Sequence, residues 1–145
     1  MRLTDIVLTE HGVINVLFAE TERLICATES VELLRGYASL LKRVLLTHAQ
    51  LEDTVLLPVI RNLAESRAGF LHDEHKEIKG AFAALEKLDD YETFSDRLWK
   101  IIATAREHFK REEWSITKLG QELDEEQLVK HGKRWAALRP TLLPI

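Results

Sequence analysis

Apolar residues recur at i, i+3, i+4 and i+7 through nearly the whole of this sequence, the spacing that lines one face of an α-helix. Little interrupts that period. Six glycines and three prolines occur in 145 residues, and they fall near the ends of the periodic segments, so the helices should be long. The first segment runs from about Thr4 to Ala27, with Val7, Ile14, Phe18 and Ile25 on one stripe. The second runs from Ser30 to Glu65, and Pro58 late in it should kink it or end its regular part. The third begins near Gly69 and carries Leu71, Ile78, Phe82 and Leu85. The fourth follows Asp89-Asp90, with Thr93-x-x-Asp96 resembling a capping box and Gly120 a plausible stop.

A shorter segment, about 123–138, follows and should end before Pro140. Its apolar residues Leu128, Trp135 and Leu138 suit a face laid over the bundle or against a partner, such as a second copy of the chain. Short connections between the long segments imply antiparallel neighbours. The expectation is an all-α chain, one domain over 1–145: an up-down-up-down four-helix bundle with a short extra C-terminal helix.

Charge and cysteine usage exclude several functions. The net charge of −4 comes from mixed signs, with no basic run of the kind a nucleic-acid surface needs. Cys26 is the single cysteine, so no disulfide within the chain and no thiolate zinc cluster can form. No run of about 18 apolar residues exists to span a membrane. The N-terminus lacks a charged region followed by an apolar stretch, so it does not read as a signal peptide. A cytoplasmic protein is expected.

What interrupts each stripe is more informative. His11 lies between Val7 and Ile14, and His48 with Glu52 between Leu45 and Val55. His75 lies between Leu71 and Ile78, and His108 with Glu112 between Ala105 and Ile116. A buried carboxylate costs several kcal/mol unless a cation or donors compensate it. No lysine or arginine lies on these stripes, so a metal cation is the natural partner. Histidine and glutamate at i, i+4 stand one above the other, with Cβ atoms about 5–6 Å apart. Their atoms can reach one ion or two adjacent ions, and a carboxylate can bridge two metals. Imidazole with carboxylate suits iron, manganese or zinc better than soft Cu(I).

The sequence also nearly repeats. Glu10-His11-x-x-Ile14-x-x-x-Phe18 recurs as Glu74-His75-x-x-Ile78-x-x-x-Phe82, at an offset of 64. His48-x-x-x-Glu52-Asp53 recurs as His108-x-x-x-Glu112-Glu113, at an offset of 60. Two similar half-sites suit two metals better than one. The level agrees as well, because His11 and His75 lie early in their segments and the other pairs late in theirs. His72, three before His75, has Leu8 as its counterpart and would add a nitrogen to one half-site only. It is a candidate seventh ligand, or a donor behind the ligands.

In this order and spacing, over about residues 4–120, the set resembles the hemerythrin-like family, the HHE cation-binding domains. The resemblance implies a non-haem di-iron centre of two iron ions per chain, oxo- or hydroxo-bridged. Glu52 and Glu112 would be bridging carboxylates, and His11, His48, His75 and His108 terminal ligands. The chain departs from the oxygen carriers, which place two histidines four apart on the third helix, where this sequence has Lys79. It also has Glu112 where the carriers use an aspartate one position further along, here Glu113. Both departures set the chain apart from the simple dioxygen carriers. The implied function is binding of, or reaction with, a small ligand such as dioxygen, peroxide or nitric oxide, including catalase-like chemistry. The alternatives are an iron- or oxygen-sensing or iron-handling module without turnover, and a bundle built on structural zinc. Ferritin-like di-iron oxidases use Glu-x-x-His and isolated glutamates, the reverse of the order here.

Overall fold

The computed structural model describes residues 1–142; the last three residues of the expected 1–145 domain lie outside the described ones. Among the described residues all regular structure is helical. Helix α1 spans Leu3–Ala27 and α2 Val31–Leu51. A π-helical turn, Glu52–Leu56, leads into α3, Leu57–Leu63. Then come α4, Glu65–Leu85, α5, Tyr91–Glu122, and α6, Glu125–Leu142.

At α2, α5 and α6 a polar residue just outside the helix accepts from a free first-turn N–H group. The Ser30 hydroxyl accepts from the Leu33 N–H at 3.2 Å, at the expected start of α2. For α5 the cap is Asp90, whose carboxylate accepts from the Thr93 N–H at 2.9 Å. Thr93-x-x-Asp96 is therefore not the capping box it resembles, because the helix has already begun at Tyr91. A true reciprocal box opens α6. The Gln127 N–H donates to Asp124 at 2.8 Å, and the Asp124 N–H donates to the Gln127 side chain at 3.2 Å.

The expected second segment is divided. Pro58 has no N–H to return to the Thr54 carbonyl, and the chain absorbs the loss one turn earlier. The Leu57 N–H bonds the Glu52 carbonyl, five residues back. The wider turn keeps Glu52, Val55, Leu56, Leu57, Val59 and Ile60 all buried. At Ala64 the backbone leaves the helical region (φ −158°, ψ 89°), and α4 starts directly after it rather than near Gly69. Gly120 does not stop α5 and has no positive φ. It lies inside the helix beside α1, where an added Cβ would make only an ordinary contact with Thr4 at 3.9 Å. Pro140 does not end α6 either. The Arg139 beside it is anchored on Glu10 of α1, which holds that turn in place.

Contacts along α1 and α5 run in opposite senses. The Tyr91 hydroxyl donates to the Ile25 carbonyl, Arg106 pairs with Glu22 at 2.7 Å, and His11 meets Glu112 at 2.9 Å. Helix α6 lies over the bundle, with Leu128 and Trp135 buried. No helix among the described residues is long and apolar enough to cross a membrane.

The core consists of two apolar clusters. One contains Ile14, Phe18, Leu45, Ile78, Ala105 and Phe109, and the other Val7, Leu51, Val55, Leu71 and Ile116. Each long helix passes from one cluster to the other at the histidines and glutamates that break its stripe. A polar layer therefore sits inside the core, walled by apolar residues on both sides.

Candidate metal centre

Helix α1 supplies His11 to this layer and α2 supplies His48. Glu52 comes from the first residue of the π turn, His75 from α4, and His108 with Glu112 from α5. All six are buried, and Glu52 and Glu112 have no exposure at all. Their ligating atoms form two groups: His11, His48, Glu52 and Glu112, and then Glu52, His75, His108 and Glu112. Both groups share the two glutamates.

The carboxylates face both ways. Glu52 Oε2 lies 2.9 Å from His48 Nε2 and 3.3 Å from His11 Nε2, while Oε1 lies 3.2 Å from His75 Nε2. Glu112 Oε1 lies 2.9 Å from His11 Nε2, and Oε2 lies 3.2 Å from His108 Nε2. Each carboxylate thus offers one oxygen to each pair of histidines, the disposition a bridging ligand needs. His75 Nε2 and His108 Nε2 are only 2.9 Å apart. Two imidazole lone pairs at that distance repel unless a proton or a cation lies between them.

A second layer of acids orients the rings. His48 Nδ1–H donates to Glu10 at 2.8 Å, and His108 Nδ1–H donates to Glu74 at 3.1 Å. His75 Nδ1–H donates to Asp53 at 2.8 Å. Placing the proton on Nδ1 leaves Nε2 aimed inward as the ligating atom. These acids are themselves held: the Trp135 indole and Arg139 Nε each donate to Glu10 at 2.8 Å, and Arg111 pairs with Glu74. The arrangement follows the internal repeat, since Glu10 and Glu74 each precede a histidine of the box and serve a histidine on a neighbouring helix. His11 is the exception, with Glu113 3.9 Å from its Nδ1. Its ring instead stacks on Phe109, with centroids 3.9 Å apart and planes 4° from parallel.

Sequence reasoning named the six inner residues but assigned no role to Glu10, Glu74 or Asp53, although all three stand in the repeated dipeptides. Arg111, Trp135 and Arg139 carried no signal, since their partners lie 37, 125 and 129 residues away. His72 is placed differently from the six. Its side chain is 41% exposed and its Nδ1 meets Asp53 at 3.1 Å. It belongs with Asp53 and His75 in a third, shallower cluster outside the box.

Charge explains why this layer needs a cation. Burial opposes charge on His11, but Glu112 and Glu52 overcome it and hold its pKa up to about 10. Burial likewise opposes charge on His75, and Asp53, Glu112 and Glu52 raise it to about 12. Burial favours the neutral form of Glu52, yet His48 and His11 keep its carboxyl well below the usual range. With no metal, protons on the histidines supply the positive charge. Without those protons, His48 Nε2, Glu52 Oε1 and both Glu112 oxygens are buried with no hydrogen-bond partner. Orphaned acceptors pointing at one another inside an apolar core are costly, and a metal ion satisfies them together. The donor set, four imidazoles and two carboxylates without thiolate, fits iron, manganese or zinc.

Comparison with known proteins bears on the same residues. The family model described as the hemerythrin HHE cation binding domain matches residues 2–119. A curated protein called DNA nickase, from Nostoc sp. (strain PCC 7120 / SAG 25.82 / UTEX 2576), is 24% identical over 118 residues. The match covers 80% of this chain but 32% of that protein, so this chain spans about a third of the relative's length. No solved structure matches the chain.

Proposed function

The chain belongs to the hemerythrin HHE cation-binding domain family, and on that premise we propose that it is a non-haem di-iron protein that binds or reacts with a small ligand such as dioxygen, peroxide or nitric oxide. One observation carries the reading: two ligand groups that share Glu52 and Glu112 through opposite oxygens. A single ion would leave half of these buried atoms orphaned, whereas two ions use all of them. His11 and His48 would hold one ion and His75 and His108 the other. The contacts between α1 and α5 support an up-down-up-down bundle around the pair.

A bound iron pair supplies Lewis acidity and one-electron redox capacity. The chain's own residues do the rest. Glu10, Glu74 and Asp53 fix three imidazoles in the tautomer that aims Nε2 inward. Two apolar clusters exclude bulk water from both sides. The space left beside the box is about 10 Å³, bounded by His48, Glu52, His75, His108 and Phe109. That is close to the lower limit for one water molecule. Large substrates are excluded, and only the smallest ligands remain.

The test is anaerobic purification, metal quantification and optical spectra on adding dioxygen and then peroxide. Two iron per chain with stable ligand bands and no turnover would mark a binding or sensing module. Gas evolution from peroxide would mark catalase-like chemistry. Tight binding of zinc in place of iron, with no response to either oxidant, would support a structural bundle. Less than about one equivalent of any metal, with folding indifferent to a chelator, would sink the reading.

A further inference from the structure

The internal repeat places the same residue types on both halves of the box with one large exception. At the offset of 60 that relates His48 to His108, the counterpart of Phe109 is Ala49. Phe109 lies flat on His11 and fills the space over it, with ring centroids 3.9 Å apart. On the other half, the position that would cover His75 carries a methyl group. Ala49 and His75 both line the small cavity beside the box, together with Leu46. The same three residues line a surface depression of about 320 Å³, whose walls include Asp53, His72, Lys76 and Lys79. A surface hollow and the small space beside the box thus share a floor of Leu46, Ala49 and His75.

We propose that Ala49 is the aperture through which small ligands reach the centre, on the His75 side and not on the His11 side. The inference deepens the small-ligand reading of the site and rests on it. Size sets the first filter, because the space beyond the shared floor is only about 10 Å³, room for none but the smallest ligands. Charge sets the second, because Lys76 and Lys79 at the rim favour neutral or anionic species over cations. The asymmetry of the centre then comes from the Ala49–Phe109 difference, and His72 takes part as a wall of the entrance.

Ile78 and Ile14 provide a matched pair of reporters. They are counterparts under the repeat, and both are buried, at 3% and 2% exposure. Ile78 lines the inner cavity and Ile14 does not. In the metal-free protein under dioxygen pressure, methyl NMR should show stronger paramagnetic broadening at Ile78 than at Ile14. Ala49→Phe should remove the difference, and Ala49→Val should reduce it if the larger ring prevents folding. In the iron-loaded protein, Ala49→Phe should keep the iron content and slow azide association about tenfold or more, as for a site reached only after a conformational change. Equal broadening at the two isoleucines in the unmodified chain would overturn the proposal. So would an Ala49→Phe variant that holds two iron ions and takes up azide at the unmodified rate. A chain that binds no metal yet still shows the broadening difference would fail the di-iron reading while keeping the entrance.

Discussion

Glu10 and Glu74 are the residues whose substitution separates orientation from ligation. Neither enters the inner box, but each receives the Nδ1 proton of a histidine that the di-iron reading makes a ligand, and each is held in turn by an arginine. Glu74→Gln keeps the size of the side chain and removes the charge that fixes His108. Iron affinity should fall roughly 10–100-fold, the usual cost of losing a partner behind a metal ligand. Competition with a chelator of known affinity measures it, with circular dichroism unchanged. Glu52→Ala is the contrasting case, because it removes one oxygen from each ligand group and should abolish loading of the second ion. Metal analysis showing two ions retained in Glu52→Ala would refute the bridging role. The six inner residues could be read from the sequence because a charged group on an apolar stripe is costly and therefore conspicuous. The acids behind them were visible only as part of the repeat. An exposed-looking glutamate beside a histidine has no periodicity to give it away.

The helices themselves were legible wherever the period of 3.6 ran unbroken, and their ends were not. Pro58 showed that something must yield in the second segment, but not that a π turn one turn earlier would absorb the lost bond and begin at Glu52. Gly120 and Pro140 read locally as stops, yet α5 runs through the first without a positive φ and α6 through the second, where Arg139 is anchored on Glu10. Gly132 in α6 illustrates the same limit. A Cβ there would collide with the Met1 carbonyl and lie 3.1 Å from the Leu3 nitrogen. Nothing in the local pattern of α6 demands a glycine at that place. Gly132→Ala should therefore cost about 1–3 kcal/mol through overpacking, seen as a lower Tm. Because α6 carries Trp135 and Arg139 to Glu10, the same variant should also weaken iron binding. A variant with unchanged Tm and unchanged iron affinity would mean that the N-terminal residues do not pack on α6 as described.

At the scale of the molecule, the polar layer makes stability depend on pH and on metal together. In the metal-free protein His11 and His75 are raised to about 10 and about 12. A raised histidine contributes stability that is complete below its unfolded pKa, about 6.5, and is lost as pH rises through the folded value. Glu52 is depressed, so its contribution is present above about 4.3 and lost as pH falls through its low folded value. The metal-free protein should therefore be most stable near pH 5–6, weakening on the alkaline side toward pH 10 and on the acid side as Glu52 protonates. Metal reverses the alkaline limb. Binding at Nε2 requires neutral rings, so loading at pH 7 should release protons from the histidines that Glu52 and Glu112 hold charged, His11 and His75 foremost. Metal and protons compete for the same buried charge, so apparent affinity should rise with pH across the neutral range. Thermal melts of stripped and loaded protein from pH 5 to pH 9 should therefore diverge, with the Tm difference largest at the alkaline end. A pH-independent difference, or loading without proton release in weakly buffered solution, would show that the box is not held together by protons when metal is absent.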